Sequence, residues 1–139
     1  TLIVDESGSQ EGSYRVNWIV YNLPPDVTEL PPNVPTVQET VNGGTQGSNH
    51  TGRRGWIGPC PEEGGDNQGL YDFNLYALDT RLDLEIPKGA QRNDLIRAMT
   101  NHVIGHGVLK SRFCRSDGAR VGSPSGQGST IQRGTCPPR

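Results

Sequence analysis

A histidine pair and a lone thiol are the first side chains in this sequence whose types and spacing could do chemistry. His102 and His106 are four residues apart, so on one helix face they could bind a metal ion together. Gly105 and Gly107, on either side of His106, instead indicate that a helix ends there, and we predict no metal site. A reactive thiol needs a nearby base or a helix N-terminus. No histidine is close to Cys60 in sequence, and we interpret it as a packed or free thiol.

Two clusters of charge offer weaker alternatives. Glu62, Glu63 and Asp66 could in principle supply an acid and base pair, but a solvated acidic loop is the simpler interpretation. Arg53 and Arg54 could bind an anion or face solvent, and we favour solvent. We therefore predict no catalytic residue and no enzyme activity.

The composition indicates one modest, turn-rich domain without a membrane span. The chain has 139 residues, of which 31% are hydrophobic, with 19 glycines and 11 prolines. Its net charge of −2 with mixed signs argues against a nucleic-acid surface. No apolar run approaches the roughly 20 residues that a membrane helix needs. The sequence begins at Thr1 without Met and shows no signal peptide, and we expect that upstream residues were removed or lie outside it.

The cysteines and one tripeptide bear on the cellular compartment. Cys114 and Cys136 flank a Gly/Ser-rich tail, and a disulfide between them would close about 20 residues and stabilise the fold by roughly 3 kcal/mol. The alternative is free thiols in a reducing compartment. Asn49 begins an Asn-His-Thr tripeptide that fits the N-glycosylation pattern. These features favour a secreted or otherwise oxidising location, with the cytoplasm as the alternative.

Hydrophobic periodicity predicts mostly strands and a single helix. The helix is predicted over 91–103, with Asn93 as its N-cap. The segment 24–54 is predicted to be a long loop that contains one short strand. From Cys114 onward the tail is polar, and we expect something to hold it in place. The predicted strands and extended pieces are 2–4, 14–23, 36–41, 71–78, 83–86 and 108–113.

Four segments in order resemble the phosphatidylethanolamine-binding protein family, especially its bacterial Raf-kinase-inhibitor-like branch. The resemblance covers about 2–115 and implies a mainly β fold, a Greek-key antiparallel sheet with a smaller sheet and a C-terminal helix. It also implies a domain over 1–115 that lacks the family's N-terminal strands, followed by a tail over 116–139. The segments are 17–24 (NWIVYNLP), 55–61 (GWIGPCP), 71–79 (YDFNLYALD) and 98–103 (AMTNHV).

The resemblance also implies a small pocket at one end of the sheet, where the family binds phosphate-like anions and phospholipid head groups. Asn17 replaces one family histidine, and Gly69 stands where a second is expected. Each lost imidazole removes a charge-assisted hydrogen bond worth about 1.5–3 kcal/mol. The candidate ligand-binding residues are Glu6, Asn17, Trp18, Gly58, Pro59 and Tyr71.

These observations predict a non-enzymatic module that binds a small anionic or head-group-like ligand in a degenerate pocket. The alternative is a structural or protein-interaction subunit of a larger assembly with a vestigial pocket. We expect no cofactor and no nucleic-acid partner. A protein partner or self-association is expected to order the tail.

Overall fold

The computed structural model describes residues 1–7, 15–36, 40–59, 68–84, 86 and 89–114. Within these residues the chain forms six antiparallel strands and one helix. The strands form a single sheet in the order β3-β4-β2-β1-β5-β6. This confirms the predicted mainly β, antiparallel fold. The helix α1 lies towards the C-terminal end of the described residues, immediately before the last strand. The elements are β1 (Leu2–Glu6), β2 (Val16–Tyr21), β3 (Thr40–Val41), β4 (Gly44–Gln46), β5 (Gln68–Leu78), α1 (Arg92–Met99) and β6 (Val103–Cys114).

The core lies where α1 covers one face of the sheet. Ile3 of β1 is opposite Ile19 of β2, so the two side chains share a face. Both are buried together with Leu95 and Met99 of α1. Burying side chains of this size stabilises the fold by about 1.5–3 kcal/mol each, and this contact fixes the helix against the centre of the sheet.

The helix is shorter than predicted and begins at a different cap. The N-cap is Gln91, whose backbone N–H donates to the carboxylate of Asp94 at 2.9 Å, so the predicted Asn93 cap was wrong. The helix ends at Met99 rather than Val103. Asn101 has a φ of 67°, a left-handed conformation that asparagine tolerates and that stops a helix.

A hairpin that periodicity did not predict lies inside the long loop. Thr40–Val41 pairs with Gly44–Gln46 through a two-residue turn. Asn42 and Gly43 have φ values of 46° and 81°, and Asn-Gly is the preferred sequence for such a turn. The predicted strand over 36–41 therefore shrinks to its last two residues among those described.

The last strand begins earlier than predicted, at Val103 instead of Val108. The piece predicted as extended over 83–86 joins no strand pairing among its described residues. It follows Leu82, whose backbone N–H and C=O both bond the side chain of Asn22 at 2.8 Å. Within the described ranges no helix has the length and apolar character needed to cross a membrane.

Candidate functional site

The six predicted ligand-binding residues gather at one end of the sheet. Because neighbouring strands are antiparallel, the end of β1 lies beside the starts of β2 and β5. Glu6, at the end of β1, is directly opposite Tyr71 of β5. Val4 is opposite Trp18 and lies two residues before Glu6, so Glu6, Trp18 and Tyr71 share the sheet face turned away from α1.

Asn17 attaches the loop that contains Gly58 and Pro59 to this end of the sheet. Its backbone C=O accepts from Ile57 N at 2.9 Å, and its Nδ2 donates to Ile57 O at 3.0 Å. The residue is 3% exposed, and its Oδ1 is buried without a hydrogen-bond partner. Asn17 therefore acts as a structural clamp between the start of β2 and this loop.

Trp18 forms an apolar wall of the site. Its ring meets that of Trp56 edge to face, with centroids 6.0 Å apart and planes at 87°. Its Nε1 donates to Gln46 Oε1 at 2.8 Å, and Gln46 Nε2 donates to Pro35 O at 3.0 Å. Since the indole N–H bonds inside the protein, Trp18 contributes shape rather than a donor to a ligand.

Tyr71 occupies the space that a side chain at position 69 would need. A Cβ built on Gly69 would lie 2.5 Å from both Oη and Cε2 of Tyr71, which is far too close. Tyr71 itself is 4% exposed. Position 69 therefore has no room for a side chain while the Tyr71 ring lies over it. The sequence showed the glycine but not this packing.

Glu6 is held at the rim of the site by a neighbouring cation. Its backbone N–H donates to Arg15 O at 2.9 Å, and its carboxylate lies 3.8 Å from the Arg15 guanidinium. The two side chains are 24% and 46% exposed, so the pair is solvated and contributes little to stability. It does place a positive charge beside the predicted pocket.

Comparisons with known proteins identify the family of the chain. The family model described as phosphatidylethanolamine-binding protein matches residues 3–114. The chain belongs to this family. A UPF0098 protein of Methanothermobacter thermautotrophicus is 45% identical over 99 residues, covering 71% of this chain and 62% of that protein. The chain thus spans less than two thirds of this relative's length.

Two solved structures show the same fold in the phosphatidylethanolamine-binding protein family. The homologue CT736 of Chlamydia trachomatis is 30% identical with a TM-score of 0.64, covering 83% of this chain and 71% of its own. YbcL of Escherichia coli is 24% identical with a TM-score of 0.65, covering 83% and 70%. The second likeness concerns the fold alone.

A charged cluster on the opposite face of the sheet was not predicted. Asp5 and Asp72 are opposite each other on β1 and β5. Arg92, from the start of α1, lies 3.4 Å from the Asp5 carboxylate, and Lys110 lies 3.0 Å from that of Asp72. In this family member, the cluster ties the helix start to the middle of the sheet. Sequence offered no signal for it, because the partners are 38 to 87 residues apart.

The two aspartates of the cluster titrate in opposite directions. Burial raises the pKa of Asp5, and the nearby Asp72 adds to the rise, while Arg92 opposes it. Burial would also raise the pKa of Asp72, but hydrogen bonds from Ser7 and Lys110 hold it below its ordinary value. Oδ1 of Asp5 is buried without a hydrogen-bond partner, so ionising this carboxyl group in the folded protein costs free energy.

The histidines considered for a metal do not lie on a helix. His102 follows α1 in a turn and its Nδ1 lies 2.8 Å from Asp79 Oδ1. His106 lies on β6, stacked on Tyr76 with ring centroids 4.4 Å apart. Within the described residues there is no group of three or more His, Cys, Asp or Glu side chains arranged to hold a metal.

The glycosylation candidate Asn49 is 6% exposed. Its Nδ2, the atom that would carry a sugar, donates to Gly55 O at 2.9 Å, and its Oδ1 accepts from Thr51 N and Oγ1. The folded domain therefore does not present this nitrogen to solvent. For the predicted disulfide, Cys114 ends β6 but Cys136 lies outside the described residues. Cys60 and the 62–66 acidic loop lie outside them too.

Proposed function

We propose that this domain is a non-enzymatic phosphatidylethanolamine-binding-protein module that binds a small anionic or phospholipid-head-group-like ligand at this end of the sheet. The observation that carries the proposal is the Asn17–Ile57 clamp. It holds the Gly58-Pro59 loop beside the strand ends that bear Glu6 and Tyr71. This arrangement supports the proposal, because the resemblance implies a ligand site here, with two of its imidazoles replaced.

The charge balance of the site predicts weak binding. Each missing imidazole would cost about 1.5–3 kcal/mol, or roughly a tenfold to hundredfold loss of affinity. Arg15 offsets part of this loss, because its guanidinium lies at the rim beside Glu6 and can attract an anion. The ligand most compatible with this balance carries both signs, as a phosphoethanolamine head group does. Its ammonium would face Glu6 and its phosphate would face Arg15.

The non-enzymatic part of the proposal rests on the side chains at the site. Trp18 and Asn17 are engaged in holding the wall and the loop. Neither is a nucleophile or a general base, and the Glu6 carboxylate lies 3.8 Å from the Arg15 guanidinium, a cation rather than a nucleophile. Binding rather than turnover is what such a frame supports.

Calorimetric titration of the purified chain with phosphoethanolamine, and with inorganic phosphate in parallel, tests the proposal. We expect saturable binding in the millimolar range that is tighter for phosphoethanolamine. Arg15→Gln should weaken it at least fivefold, and Arg97→Gln, a matched change on the exposed side of α1, should leave it unchanged. No saturable heat with either ligand would reject the proposal and favour the structural or protein-interaction role.

We also propose that the protein resides in a secreted or otherwise oxidising compartment. An oxidising compartment and a Cys114–Cys136 disulfide predict one free thiol among the three cysteines of the native chain. Three reactive thiols after denaturation without reductant would favour the cytoplasmic alternative. Labelling with a thiol-specific reagent followed by mass spectrometry distinguishes the two.

A further inference from the structure

An imidazole reaches the start of β2 from the loop 48–55. The backbone N–H of His50 donates to Val16 O at 2.9 Å, and the ring Nδ1 of His50 lies 2.8 Å from the same oxygen. Val16 is the residue between Arg15, the cation at the rim of the candidate site, and the Asn17 clamp. His50 therefore brings a ring to the end of the sheet where the site lies, although the resemblance assigned it no role.

The contact with Val16 decides which ring nitrogen of His50 can titrate. A carbonyl oxygen only accepts hydrogen bonds, so Nδ1 carries a proton in this contact. The nitrogen that gains or loses a proton is then Nε2, and His50 is exposed. Neutral Nε2 can only accept a hydrogen bond, whereas protonated Nε2 donates one and the ring carries a positive charge.

The loop that bears His50 is held in one conformation by its own hydrogen bonds. Asn49 Oδ1 accepts from Thr51 N at 3.0 Å and from Thr51 Oγ1 at 2.6 Å. The backbone N–H of Asn49 donates to Arg53 O at 2.8 Å, and that of Gly52 donates to Asn49 O at 2.9 Å. The His50 ring is thus oriented before any ligand arrives, which lowers the entropy cost of binding.

The charges around His50 favour an anion. The loop 48–55 contains Arg53 and Arg54 and no acidic residue. Arg15 precedes the residue that His50 contacts. From β1, Glu6 faces this group and lies 3.8 Å from the Arg15 guanidinium. Protonating His50 adds one more positive charge to a region that already carries three arginines, and such a region attracts anions.

We propose that His50 is a pH-dependent ligand-binding residue of the candidate site, whose protonated ring donates from Nε2 to an oxyanion of the phosphate or sulfate type. The inference rests on the proposed function and names the residue that regulates it. The oxyanion lies between the His50 ring and the Arg15 guanidinium, and the ammonium of a head group faces Glu6.

The direction of the pH effect follows from the change at Nε2. Histidine is the side chain whose charge ordinarily changes between pH 5 and 8. Charge-assisted hydrogen bonds are roughly twice as strong as neutral ones. A neutral ring also offers the oxyanion an acceptor instead of a donor, so affinity rises as pH falls from 8 to 5.5. A purely structural His50 predicts no such rise, because Val16 O already accepts from the backbone N–H.

Calorimetric titration with glycerophosphoethanolamine and with sulfate at pH 8 and pH 5.5 tests the inference. Both probes keep their charges over this range, so a pH effect comes from the protein. We expect the wild type to bind at least about fivefold more tightly at pH 5.5. His50→Gln should remove this gain, and it keeps the backbone bond that attaches the loop to Val16. His102→Gln, whose ring lies 2.8 Å from Asp79 after the far end of β5, should retain the gain.

The outcomes separate this inference from the proposed function. Binding at pH 8 without a gain at pH 5.5, or a gain that persists in His50→Gln, overturns the inference and leaves the proposed function standing. No saturable binding of either probe at either pH overturns both. A gain with sulfate as well as glycerophosphoethanolamine supports the inference for oxyanions in general, and a gain with glycerophosphoethanolamine alone supports it for a lipid head group.

Proton NMR of the three histidine rings gives a second readout that does not depend on a variant's affinity. Saturating glycerophosphoethanolamine should move the midpoint of the His50 titration to higher pH, because a ligand that binds the protonated ring favours that form. The ring of His106, which is stacked on Tyr76, should titrate as before. Assignment uses the histidine-to-glutamine variants. An unmoved His50 midpoint at saturation overturns the inference.

Discussion

Asn17 and Ile57, 40 residues apart in sequence, exchange two hydrogen bonds of 2.9 and 3.0 Å. One uses the backbone of both residues, and the other uses the Asn17 side chain. The bonds fix the loop after Trp56 to the start of β2. This relationship makes Asn17 a scaffold residue that attaches the loop to the sheet.

Asn17→Ala is therefore expected to destabilise the fold and weaken ligand binding. Removing Nδ2 leaves Ile57 O unpaired, which costs about 1–3 kcal/mol. The loop loses its side-chain anchor, so affinity for phosphoethanolamine should fall as well. Urea unfolding and calorimetry measure the two effects.

The matched control for Asn17 is Asn93→Ala on α1, whose side chain caps nothing in the structure. It should change the unfolding free energy by less than about 0.5 kcal/mol. Equal losses in both variants would show that the Asn17 clamp has no special role.

Gly69 and Tyr71 are expected to behave as a coupled pair. Gly69→Ala forces a Cβ to within 2.5 Å of the Tyr71 ring, and such overpacking costs about 1–3 kcal/mol. In a Tyr71→Ala background the same change should cost almost nothing, because the obstructing ring is gone. A double-mutant cycle by urea unfolding measures the coupling. Additive losses would contradict the packing of Tyr71 on Gly69.

The cap of α1 gives a test in which sequence and structure disagree. Asp94 accepts from the Gln91 backbone N–H at 2.9 Å and lies in the first helical turn, where negative charge is favourable. Asp94→Ala should lower the unfolding free energy by about 1 kcal/mol. If the predicted Asn93 cap were correct instead, Asn93→Ala would show the larger loss.

Local sequence patterns predicted the central strands of the sheet. The alternation in β5 and the β-branched residues of β1 and β2 located three central strands. The Asn42-Gly43 turn was an available signal that periodicity alone overlooked, since the strands on either side have two and three residues. The helix end was missed because Val103 fits the helical spacing but belongs to β6, and Asn101 makes the break.

The candidate site was predictable only where motifs place residues. Glu6, Asn17 and Tyr71 follow from the resemblance, and the structure brings them to one end of the sheet. The packing of Tyr71 on Gly69 depends on a ring orientation that no local sequence pattern indicates. The Asp5–Arg92 contact joins residues 87 apart, so it exists only once the helix docks on the sheet.

The opposite titration of Asp5 and Asp72 predicts opposite pH effects on stability. The pKa of Asp5 is raised in the fold, so its neutral form is the better tolerated one. Its contribution to stability is complete below its unfolded pKa and is lost as pH rises through the folded pKa. The pKa of Asp72 is lowered, so its contribution is present above the unfolded value and is lost as pH falls through the folded one.

Asp5→Asn and Asp72→Asn separate these effects. The free energy of unfolding of Asp5→Asn, relative to that of the wild type, should be higher at pH 7 than at pH 4. The reason is that the buried charge that the substitution removes is present only at the higher pH. The free energy of unfolding of Asp72→Asn, relative to that of the wild type, should be lower at pH 7 than at pH 4, because the substitution removes a carboxylate that Lys110 and Ser7 stabilise. Urea unfolding of the three proteins at both pH values measures the two differences. If they have the same sign, the burial of Asp5 does not outweigh its attraction to Arg92, and the helix start would be held by an ordinary ion pair.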